Sequence, residues 1–513
     1  MYINVLTEIK NKKLDKTFTY KVPFSLENKI AIGKRVLIPF NHLTLEGYIV
    51  SLTDEAPLNP KEILEVLDEE PVLTEEMLIL GKFLHEKTLS SLTSCYDAML
   101  PKALKAKKGT NINIKKQSYL SLKMPYEEAL KIAQNEKQKE IILAFKEQEE
   151  ILKKEISLIS SSAMNTLLKK DVLQETYKEK YRYEIKNSKA TEKTLNEEQQ
   201  KVYEKIKQGF HTNKTYLLHG VTGSGKTEVY IKLIKDVLKE GKTALVLVPE
   251  ISLTPQLIER FTGVFQTNIA VSGLSDAEKY DEWRKILKEE VSIVIGARSA
   301  SFAPLKNIGI FILDEEHSES YKQENNPRYH ALDVILKRSE IHHAPVVLGS
   351  ATPSLSTMAR AHKKVFEYTY LSKRAKDSVL PEVYLVDMVE ENKKNHPIIS
   401  RLLEDKITEK IEKKEQVMIL LNRRGYSTTL TCSNCGFTYR CPNCQITLTY
   451  HKKINQLRCH YCGYTKYYSS LCPNCHEEGL NDYGMGTEKL EEYLEKKFPM
   501  AKIIRMDRDT TAK

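Results

Sequence analysis

The pattern of apolar and polar residues divides the chain into regions of different secondary structure. Over the first hundred residues, short β-branched and aromatic runs such as "FTYKVP", "KRVLIPF" and "LEGYIVSL" alternate with polar turns, which predicts β-strands. Residues 75–98 then follow a helical pattern. From about 190 to 385, apolar runs such as "TYLLHG", "TALVLVP", "VSIVIGA", "GIFILDEE" and "APVVLGSA" alternate with helical segments. Because the strands of a parallel sheet are buried on both faces, these continuous apolar runs predict a parallel α/β sheet.

Between these two regions lies a basic stretch followed by short amphipathic segments. The stretch "PKALKAKKGTNINIKK" has few apolar residues, which favours a linker or an exposed arm. Short helices follow it through residue 173, and the polar "LQETYKEKYRYEI" comes after them. Helices followed by a small strand pair favour a winged-helix module, with a plain helical spacer as the alternative. Further strands are expected in "QVMILLNRRG" and "AKIIRMDRD", with a helix in "GTEKLEEYLEKKF" before the second of them.

The chain is therefore predicted to be a multidomain α/β protein with RecA-like parallel-sheet lobes. The predicted regions are an N-terminal β domain over 1–100, a basic linker over 101–118, a winged-helix-like module over 119–187, a first lobe over 188–385 and a partial second lobe over 386–513 with a cysteine-rich insertion at 430–478.

Composition narrows the class of protein only slightly. Hydrophobic residues make up 41% and charged residues 29%, and 79 Lys and Arg face 69 Asp and Glu, a net charge of +10. This excess permits a polyanionic partner without requiring one. No apolar run reaches the roughly 18 residues of a transmembrane helix, and "MYINVLTEIKNKK" does not have the pattern of a secretory signal. We expect a cytoplasmic protein without a membrane partner.

A phosphate-binding pattern lies within "LLHGVTGSGKTEVY". It matches G-x-x-x-x-G-K-[ST] and falls between a predicted strand and a predicted helix, the context that this motif requires. In such loops the backbone N–H groups surround the phosphates, the lysine neutralises their charge and the hydroxyl binds Mg²⁺. A chance glycine turn is the alternative. The predicted ligands of ATP and Mg²⁺ in this loop are Gly220, Thr222, Gly223, Ser224, Gly225, Lys226 and Thr227.

An acidic partner for this loop stands at the end of the strand in "IFILDEEH". We expect Asp314 to hold Mg²⁺, directly or through water, and Glu315 to polarise the attacking water. A solvated strand end is the alternative. Together with Lys226, these carboxylates form the predicted catalytic set.

A Ser-Ala-Thr turn in "LGSATPS" follows the acidic segment. In combination with Asp-Glu-Glu-His it resembles superfamily 2 helicases, in which this arrangement links hydrolysis to movement along a strand. The expected coupling residues are His317, Ser350 and Thr352. Upstream, Gln199 in "LNEEQ" is predicted to read the adenine edge, with an ordinary surface glutamine as the alternative.

Eight of the nine cysteines lie in four consecutive C-x-x-C pairs. Two such pairs complete a tetrahedral site of four thiolates, so eight thiolates predict two structural Zn²⁺ ions rather than disulfides in a reducing cytosol. Spacing alone leaves open which pairs combine. The pairs are Cys432 with Cys435, Cys441 with Cys444, Cys459 with Cys462, and Cys472 with Cys475.

The order of these motifs resembles the PriA family of primosomal replication-restart DNA helicases (primosomal protein N′). It is carried by "GVTGSGKTEVY", "LVPEISLTPQ", "GARSASF", "DEEHSESYKQ", "PRYHALD", "GSATPS", "LNRRGYS", the four C-x-x-C pairs and "GMGTEKLEE". The resemblance implies an ATP-dependent 3′-to-5′ DNA helicase that recognises stalled or abandoned replication forks, remodels them and promotes primosome assembly. It also implies forked and single-stranded DNA, other primosome proteins, single-stranded DNA-binding protein and the replicative helicase loading machinery as partners.

The resemblance also assigns DNA-contact residues. In the family the N-terminal β domain captures a DNA 3′ end, and Phe18 and Lys61 fall at its pocket positions, although Thr19 stands where an Asp is frequent. Arg298 and Ser299 in "GARSA" are expected to hold the DNA backbone. The segment "SYKQENNPRYHALD" resembles an aromatic-rich loop, for which a plain surface loop is the alternative. Its expected stacking faces and phosphate donors are Tyr321, Lys322, Arg328, Tyr329 and His330.

The zinc pairing implied by the resemblance is nested. The expected sets are Cys432, Cys435, Cys472 and Cys475 for the first zinc, and Cys441, Cys444, Cys459 and Cys462 for the second.

In the family, segments that carry an arginine finger and a C-terminal DNA-binding domain follow the point reached by "RMDRDTTAK". Because an arginine finger is worth about 10³–10⁵ in rate in related enzymes, we expect these 513 residues alone to bind ATP and DNA but to unwind weakly or not at all. A non-enzymatic fork-binding scaffold is the first alternative. A DNA-uptake translocase or an RNA helicase is the second, and the N-terminal β domain argues against it.

Overall fold

The computed structural model describes most of the chain as two compact units, Met1–Val379 and Leu380–Lys513. Within the described residues, no helix combines the length and the apolar character needed to cross a membrane. The described ranges are 1–10, 15–55, 58–106, 112–183, 193–249, 255–266, 269–271, 275–374, 381–393, 398–421, 430–451, 455–482 and 487–506.

The first unit begins with β-strands, as the short β-branched and aromatic runs predict, and these strands form an antiparallel sheet. In the described part it has five strands in the order β2-β1-β4-β3-β5 and a 3-10 helix at Phe24–Lys29. The strands are β1 (Tyr2–Thr7), β2 (Thr17–Lys21), β3 (Arg35–Phe40), β4 (Leu43–Thr53) and β5 (Glu65–Val66). Alternate side chains such as Val5, Ile38 and Ile49 are fully buried between the strands and their covering segments.

The helical pattern over 75–98 forms two helices instead of one. They are α1 (Glu75–Thr88) and α2 (Leu92–Met99), and a 3-10 turn follows at Lys102–Leu104. Leu89 ends α1 in the left-handed conformation with φ of 54°, and the Ser91 hydroxyl accepts a hydrogen bond from Ser94 N as the N-cap of α2. Caps of this kind supply partners for backbone groups that a helix end leaves unpaired.

The next module contains helices and a small antiparallel sheet in the order β7-β6-β8. Its elements are β6 (Lys116–Leu122), α3 (Tyr126–Ile132), α4 (Glu136–Ala144), β7 (Glu150–Leu152), α5 (Lys153–Lys169) and β8 (Leu173–Glu179). The expectation of helices followed by a strand pair is wrong in one respect, because β6 precedes the helices and lies partly in the predicted linker. Only Leu120 and Ser121 of β6 are buried, so its apolar signal is weak.

A parallel sheet forms the largest part of the first unit, which confirms the prediction from the continuous apolar runs. In the described residues its seven strands have the order β11-β12-β10-β13-β14-β9-β15. The elements are α6 (Glu197–Lys207), β9 (Thr215–Gly220), α7 (Lys226–Lys239), β10 (Thr243–Leu247), α8 (Pro255–Phe265), β11 (Ile269–Val271), α9 (Asp276–Leu287), β12 (Ile293–Gly296), β13 (Ile308–Leu313), α10 (Ala331–His342), β14 (Val346–Ser350), α11 (Leu355–His362) and β15 (Glu367–Leu371), with 3-10 turns at Arg298–Phe302 and Glu319–Tyr321. The two strands at the edges, β11 and β15, were not predicted because one is very short and the other is half exposed.

An apolar cluster joins the N-terminal helices to the parallel-sheet module. It contains Leu80 and Tyr96 from α1 and α2 together with Trp283 from α9 and Phe302. An ion pair between Glu179 at the end of β8 and Arg284 on α9 joins the module of β6, β7 and β8 to the parallel-sheet module. Burial of the apolar cluster favours the association of the N-terminal helices with the sheet module, and all these modules lie in one unit.

The second unit contains short strands and helices. They are α12 (Met388–Lys393), α13 (Arg401–Glu412), β16 (Leu430–Cys432), β17 (Thr449–His451), β18 (Gln456–Arg458), β19 (Thr465–Tyr467), β20 (Leu480–Asp482) and α14 (Thr487–Lys497), with β16 paired to β20 and β18 between β17 and β19.

Two strand predictions for the second unit are wrong as far as the structure describes them. Residues 416–421 and 501–506 form no strand, although Ile419, Leu421 and Ile503 pack against an apolar cluster shared by α13 and α14. The apolar pattern therefore indicated burial correctly, but neither segment has a described neighbouring strand with which to form the ladder of a sheet. Residues 422–425 and 507–509 of these predictions lie outside the described residues.

Candidate functional site

The phosphate-binding pattern forms the loop between β9 and α7. Gly223 and Gly225 have φ of 79° and 80°, a region in which residues with a Cβ are disfavoured. A Cβ on Gly225 would also lie 2.4 Å from Nε2 of Gln199. The ammonium of Lys226 donates to the Gly220 carbonyl at 3.1 Å, so the loop closes around its own lysine. The helix N-terminus at Lys226 points its free N–H groups into the loop, which favours an anion there.

A cleft of about 570 Å³ opens beside this loop, a size suited to a small-molecule ligand. Among the described residues, the hydroxyl of Ser224 is buried without a hydrogen-bond partner, which leaves a polar group free for a ligand. Every predicted ATP and Mg²⁺ ligand except Gly220 lines the cleft. The lining residues are Lys193, Thr194, Asn196, Gln199, Thr222, Gly223, Ser224, Gly225, Lys226, Thr227, Glu228, Asp314 and Glu315.

Gln199 connects α6 to the phosphate-binding loop. Its Oε1 accepts from the Asn196 backbone N–H at 2.9 Å, which completes a capping box, and its Nε2 donates to the Ser224 carbonyl at 2.8 Å. The side chain is buried. The structure therefore gives Gln199 a role in positioning the loop, and its contact with adenine stays a prediction.

Asp314 lies at the end of β13, where its carboxylate faces the loop. The Tyr230 hydroxyl donates to Oδ1 at 2.9 Å, and the Tyr321 hydroxyl donates to the Asp314 carbonyl at 2.6 Å. Burial and the neighbouring charge of Glu315 raise the pKa of Asp314, against the lowering effects of Tyr230 and Lys226. A carboxylate whose charge is disfavoured in this way is stabilised by a cation, so the residues fit a bound Mg²⁺.

A chain of contacts runs from the acidic segment to the Ser-Ala-Thr turn. His317 Nδ1 lies 3.6 Å from Oε2 of Glu315 and 2.8 Å from Oγ of Ser350. The Thr352 backbone N–H donates to the same Oγ at 3.0 Å. The three predicted coupling residues therefore form a chain of contacts that runs from Glu315 through His317 and Ser350 to Thr352.

The sequence did not single out Glu316, which fixes the same turn. Its carboxylate is buried and accepts from Ser354 N at 2.7 Å and from the Thr357 hydroxyl at 2.8 Å, which fastens the start of α11. Its own N–H donates to the Gly349 carbonyl at 3.0 Å. A second glutamate after a metal-binding aspartate was the available signal.

Tyr230 and Gly349 were also missed. A Cβ on Gly349 would lie 1.6 Å from the Tyr230 hydroxyl oxygen and 3.1 Å from Oδ1 of Asp314. Glycine at this position therefore leaves the space in which Tyr230 reaches the carboxylate. The sequence signal was a tyrosine on the buried face of α7, one turn after Lys226.

Two rings of the aromatic-rich loop correct a prediction. Tyr321 is 0% exposed and Tyr329 is 2% exposed, so neither offers a stacking face in this structure. Tyr321 packs in the core under α10, and Tyr329 meets the Phe302 ring edge to face at 5.0 Å between centroids. Burial raises the pKa of Tyr329 to about 12. The polar character of this segment predicts exposed rings, but both rings have apolar partners elsewhere in the fold.

The polar residues of this loop are differently placed. Lys322 and Arg328 are exposed, and the Lys322 ammonium donates to the Arg328 carbonyl at 2.6 Å. His330 caps α10, since its Nδ1 accepts from Leu332 N at 3.1 Å, and burial lowers the pKa of this imidazole.

Arg298 holds the loop from the neighbouring 3-10 turn. Its Nη1 donates to the carbonyls of Ser320 and Lys322 at 2.8 Å and 2.7 Å, and Ser299 beside it is exposed. The observed contacts of this arginine are therefore to protein, and the predicted DNA contacts of both residues are untested.

Phe18 and Lys61 lie on the N-terminal sheet module. The ring of Phe18 meets Phe40 edge to face at 5.1 Å, and the Lys16 ammonium lies 5.5 Å from its centroid. The Lys61 carbonyl accepts from the Lys21 backbone N–H at 2.9 Å, and the Lys61 side chain is exposed. Their predicted role at a DNA 3′ end is untested.

The cysteine pairs come together in two clusters among the described residues, in the nested order. Within each cluster the Sγ atoms all lie within 4.8 Å of one another. Four cysteine sulfurs this close together form the donor set of a tetrahedral structural site, so each cluster fits Zn²⁺. The clusters are Cys432, Cys435, Cys472 and Cys475, and Cys441, Cys444, Cys459 and Cys462.

Comparisons with known proteins match three parts of the chain. A PriA 3′ DNA-binding domain matches residues 4–101, a DEAD/DEAH box helicase matches residues 196–361, and the Cys-rich region domain of the PriA DNA helicase matches residues 441–466. These ranges contain most of the five-stranded sheet, most of the residues that line the nucleotide cleft, and the whole second cysteine cluster.

Comparisons over whole sequences find relatives named replication restart protein PriA. Replication restart protein PriA of Bacillus subtilis (strain 168) is 41% identical over 589 residues, which cover 100% of this chain and 73% of that protein. Replication restart protein PriA of Synechocystis sp. is 43% identical over 368 residues, which cover 69% of this chain and 44% of that protein. The Pyrococcus furiosus Hef helicase domain has 18% identity and a TM-score of 0.28 over 42% of this chain and 47% of that one, a likeness too low to support an argument.

Proposed function

The chain belongs to the replication restart protein PriA family of DNA helicases that hydrolyse ATP, and from this premise we propose that it moves 3′-to-5′ on DNA at stalled replication forks. In this proposal it remodels the fork and, with other primosome proteins, promotes reloading of the replicative helicase. Single-stranded DNA-binding protein and the loading machinery are its proposed partners.

The observation that supports a motor best is the continuous set of contacts from the cleft to the Ser-Ala-Thr turn. Lys226 and the loop N–H groups hold the phosphates, and Thr227 with Asp314 would hold Mg²⁺, which neutralises phosphate charge when it is bound. Glu315 aligns the water whose oxygen attacks the terminal phosphorus. As the bond to the ADP oxygen breaks, Glu315 accepts the proton of the water.

Loss of the terminal phosphate changes the charge that faces Glu315. Because His317 contacts both Glu315 and Ser350, a change in the position of Glu315 is transmitted to the turn before α11. We assign His317, Ser350 and Thr352 to this coupling. Gln199 positions the loop from α6 and reads adenine in the same proposal.

The proposed organisation retains the predicted domains, except that the winged-helix module begins with β6 at Lys116 and not at residue 119. In this proposal the N-terminal sheet module binds a DNA 3′ end through Phe18 and Lys61. The exposed loop residues Lys322 and Arg328, with Arg298 and Ser299, contact the DNA backbone. Two Zn²⁺ ions staple the cysteine-rich insertion, which has too few apolar residues to form a core of ordinary size.

The motor proposal is tested by ATP turnover with and without single-stranded DNA. Lys226→Ala should abolish DNA-stimulated turnover, whereas Lys232→Ala, on the same helix, should leave it intact. Background turnover in the unmodified chain, equal to that of Lys226→Ala, would contradict the proposal and leave a DNA-binding scaffold.

Polarity is tested on partial duplexes with a single-stranded tail at one end. Any duplex that the chain unwinds should carry a 3′ tail, and duplexes with a 5′ tail should stay intact. The opposite preference would refute the proposed direction.

The 3′-end assignment is tested with forks that have or lack a leading-strand 3′ end. Lys61→Gln should weaken binding to forks with the 3′ end more than to forks without it. Lys82→Gln, an exposed lysine on α1, is the matched control and should change neither. Equal effects on both forks would leave only a general phosphate contact, with a correspondingly smaller salt slope.

A further inference from the structure

An exposed pair of aromatic rings lies on the edge strand of the parallel sheet. In the part of the chain that the structure describes, β15 is the strand at this edge, beside β9. Tyr368 is 41% exposed and Tyr370 is 45% exposed, while the intervening Thr369 is buried. Because side chains alternate along a strand, both rings stand on one face of the sheet. Two adjacent exposed rings on a well-packed sheet require an explanation.

The two rings are held parallel. Their planes differ by 10° with centroids 6.4 Å apart, and His219 on β9 meets both rings edge to face, at 6.0 Å and 5.0 Å. The Tyr368 hydroxyl is also 2.9 Å from Nδ1 of His219. A planar surface that is already ordered loses little conformational entropy when a ligand stacks on it.

The chain around the rings is basic. Residues 355–373 include four Lys or Arg residues and a single acidic residue, Glu367. Glu367 is paired with Lys205 at 3.3 Å. The basic residues are exposed and are Arg360, Lys363, Lys364 and Lys373.

Glu198, a carboxylate at this edge, is already engaged. Glu198 accepts hydrogen bonds from the backbone N–H groups of Ser372 and Lys373 at 3.0 Å and 3.2 Å, and from the Ser372 hydroxyl at 2.5 Å. A polyanion that approaches the rings therefore meets cations with little opposing free negative charge.

We propose that His219, Tyr368 and Tyr370 form a stacking platform for the unpaired bases of single-stranded DNA, flanked by cations that contact its phosphates. Stacked aromatic rings beside positive charge are the chemistry by which proteins bind single strands without sequence preference. Bases inside a duplex are stacked on each other and offer no free face, so the platform selects single strands. The inference rests on the proposed motor function and adds a contact that the aromatic-rich loop, with its buried rings, does not supply.

The position of the platform connects it to the coupling residues. His219 stands opposite Ser350 in the ladder of β9 and β14, and Tyr370 stands opposite His219 in the ladder of β9 and β15. His219 also directly precedes the phosphate-binding loop. A DNA strand bound at these rings therefore lies beside His219, whose ladder partner Ser350 contacts His317.

Binding of a fluorescent oligothymidylate, measured by anisotropy, tests the platform. The double variant Tyr368→Leu/Tyr370→Leu should bind about tenfold more weakly or worse, because each stacked base contributes at least about a fivefold effect. The matched double variant Tyr368→Phe/Tyr370→Phe keeps both ring faces and should bind within about twofold of the parent. The salt slope should be the same in all three, since the phosphate contacts remain.

Photo-cross-linking of a halogenated-uracil oligonucleotide to the unmodified chain gives an independent reading. Attachment at Tyr368, Tyr370 or His219, located by mass spectrometry, supports the platform. Attachment confined to other residues, or parent-like binding by the leucine variant, would overturn it. A parent that binds DNA and hydrolyses ATP while the leucine variant binds equally well removes only this inference. A parent that binds no DNA removes the proposed function as well.

Discussion

Glu76→Gln should release the N-terminal helices from the parallel-sheet module. Nε and Nη2 of Arg338 on α10 donate to the two carboxylate oxygens of Glu76 at 2.7 Å and 3.1 Å, and His342 Nε2 lies 3.1 Å from Oε1. Arg338 is 1% exposed at its side chain, and its Nη1 donates to the Ser301 carbonyl at 2.8 Å. Removal of the Glu76 charge leaves a buried guanidinium without its counter-ion.

The loss in the free energy of unfolding caused by Glu76→Gln follows in two ways. Loss of one partner of a buried ion pair costs about 3–5 kcal/mol. Burial alone would raise the pKa of Glu76, but Arg338 and His342 lower it from 4.5 to about 2. This shift corresponds to about 3 kcal/mol of stability, and Glu76 is buried enough that solvent screening does not remove it. We therefore expect Glu76→Gln to lower the free energy of unfolding by about 3 kcal/mol.

The single tryptophan of the chain makes the assay direct. Trp283 lies in the apolar cluster between the N-terminal helices and the sheet module, so its fluorescence in urea reports their separation. Glu75→Gln, at an exposed position in the same helical turn, is the control with the same charge change. Equal stability of the two variants would refute the assigned role of the ion pair.

The pH dependence of this difference follows from the direction of the pKa shift. A carboxyl whose pKa is lowered on folding contributes its full stabilisation above its unfolded pKa, here 4.5, and loses it as the pH falls toward about 2. The gap in stability between the unmodified chain and Glu76→Gln should therefore be constant near neutral pH and shrink in that acidic window. A gap that persists unchanged into the window would contradict the ionised pair.

Three further predictions concern the other sites. Tyr230→Phe removes the hydrogen bond that lowers the pKa of Asp314, so the acid limb of the pH profile of ATP turnover should move to higher pH. The affinity for Mg²⁺ should fall about fivefold. An unchanged pH profile would contradict this role of Tyr230. Asp281→Asn removes a fully buried charge that pairs with Arg182 and with Arg284, and Arg284 also pairs with Glu179 at the end of β8. The change should destabilise the attachment of β8 by about 3 kcal/mol, seen as faster hydrogen exchange of β8, whereas unaltered exchange would argue against it. Cys441→Ser should lower the zinc content from about two ions per chain to about one, while Cys95→Ser should leave it unchanged, and equal zinc in both would count against the cluster.

Sequence reasoning succeeded where chemistry depends on local spacing. The loop from Gly220 to Thr227 has its residues within one turn, so the pattern alone determines which atoms converge. Each C-x-x-C pair likewise shows which two cysteines lie on one turn. The nested combination of the pairs is implied only by the family resemblance. The continuous apolar runs specified the parallel sheet, because strands that are buried on both faces have no polar alternation.

The rest depended on contacts between residues far apart in the chain. Tyr230 reaches Asp314 only because Gly349 leaves room for its hydroxyl, and no local pattern connects these three positions. The burial of Tyr329 depends on Phe302, which lies in another segment. Apolar segments such as residues 416–421 show burial in their pattern but cannot show whether another strand lies beside them.

The hydrogen bond from Tyr321 to the Asp314 carbonyl has a mechanical consequence. This hydrogen bond joins the loop that carries Tyr321 to the strand end that carries the expected metal ligand, and the Tyr321 ring that makes it is fully buried. Any ligand that draws this loop outward must either break that joint or drag the end of β13 with it. Ligand binding to the loop that carries Tyr321 and the shape of the nucleotide cleft are thus coupled through the Tyr321 side chain.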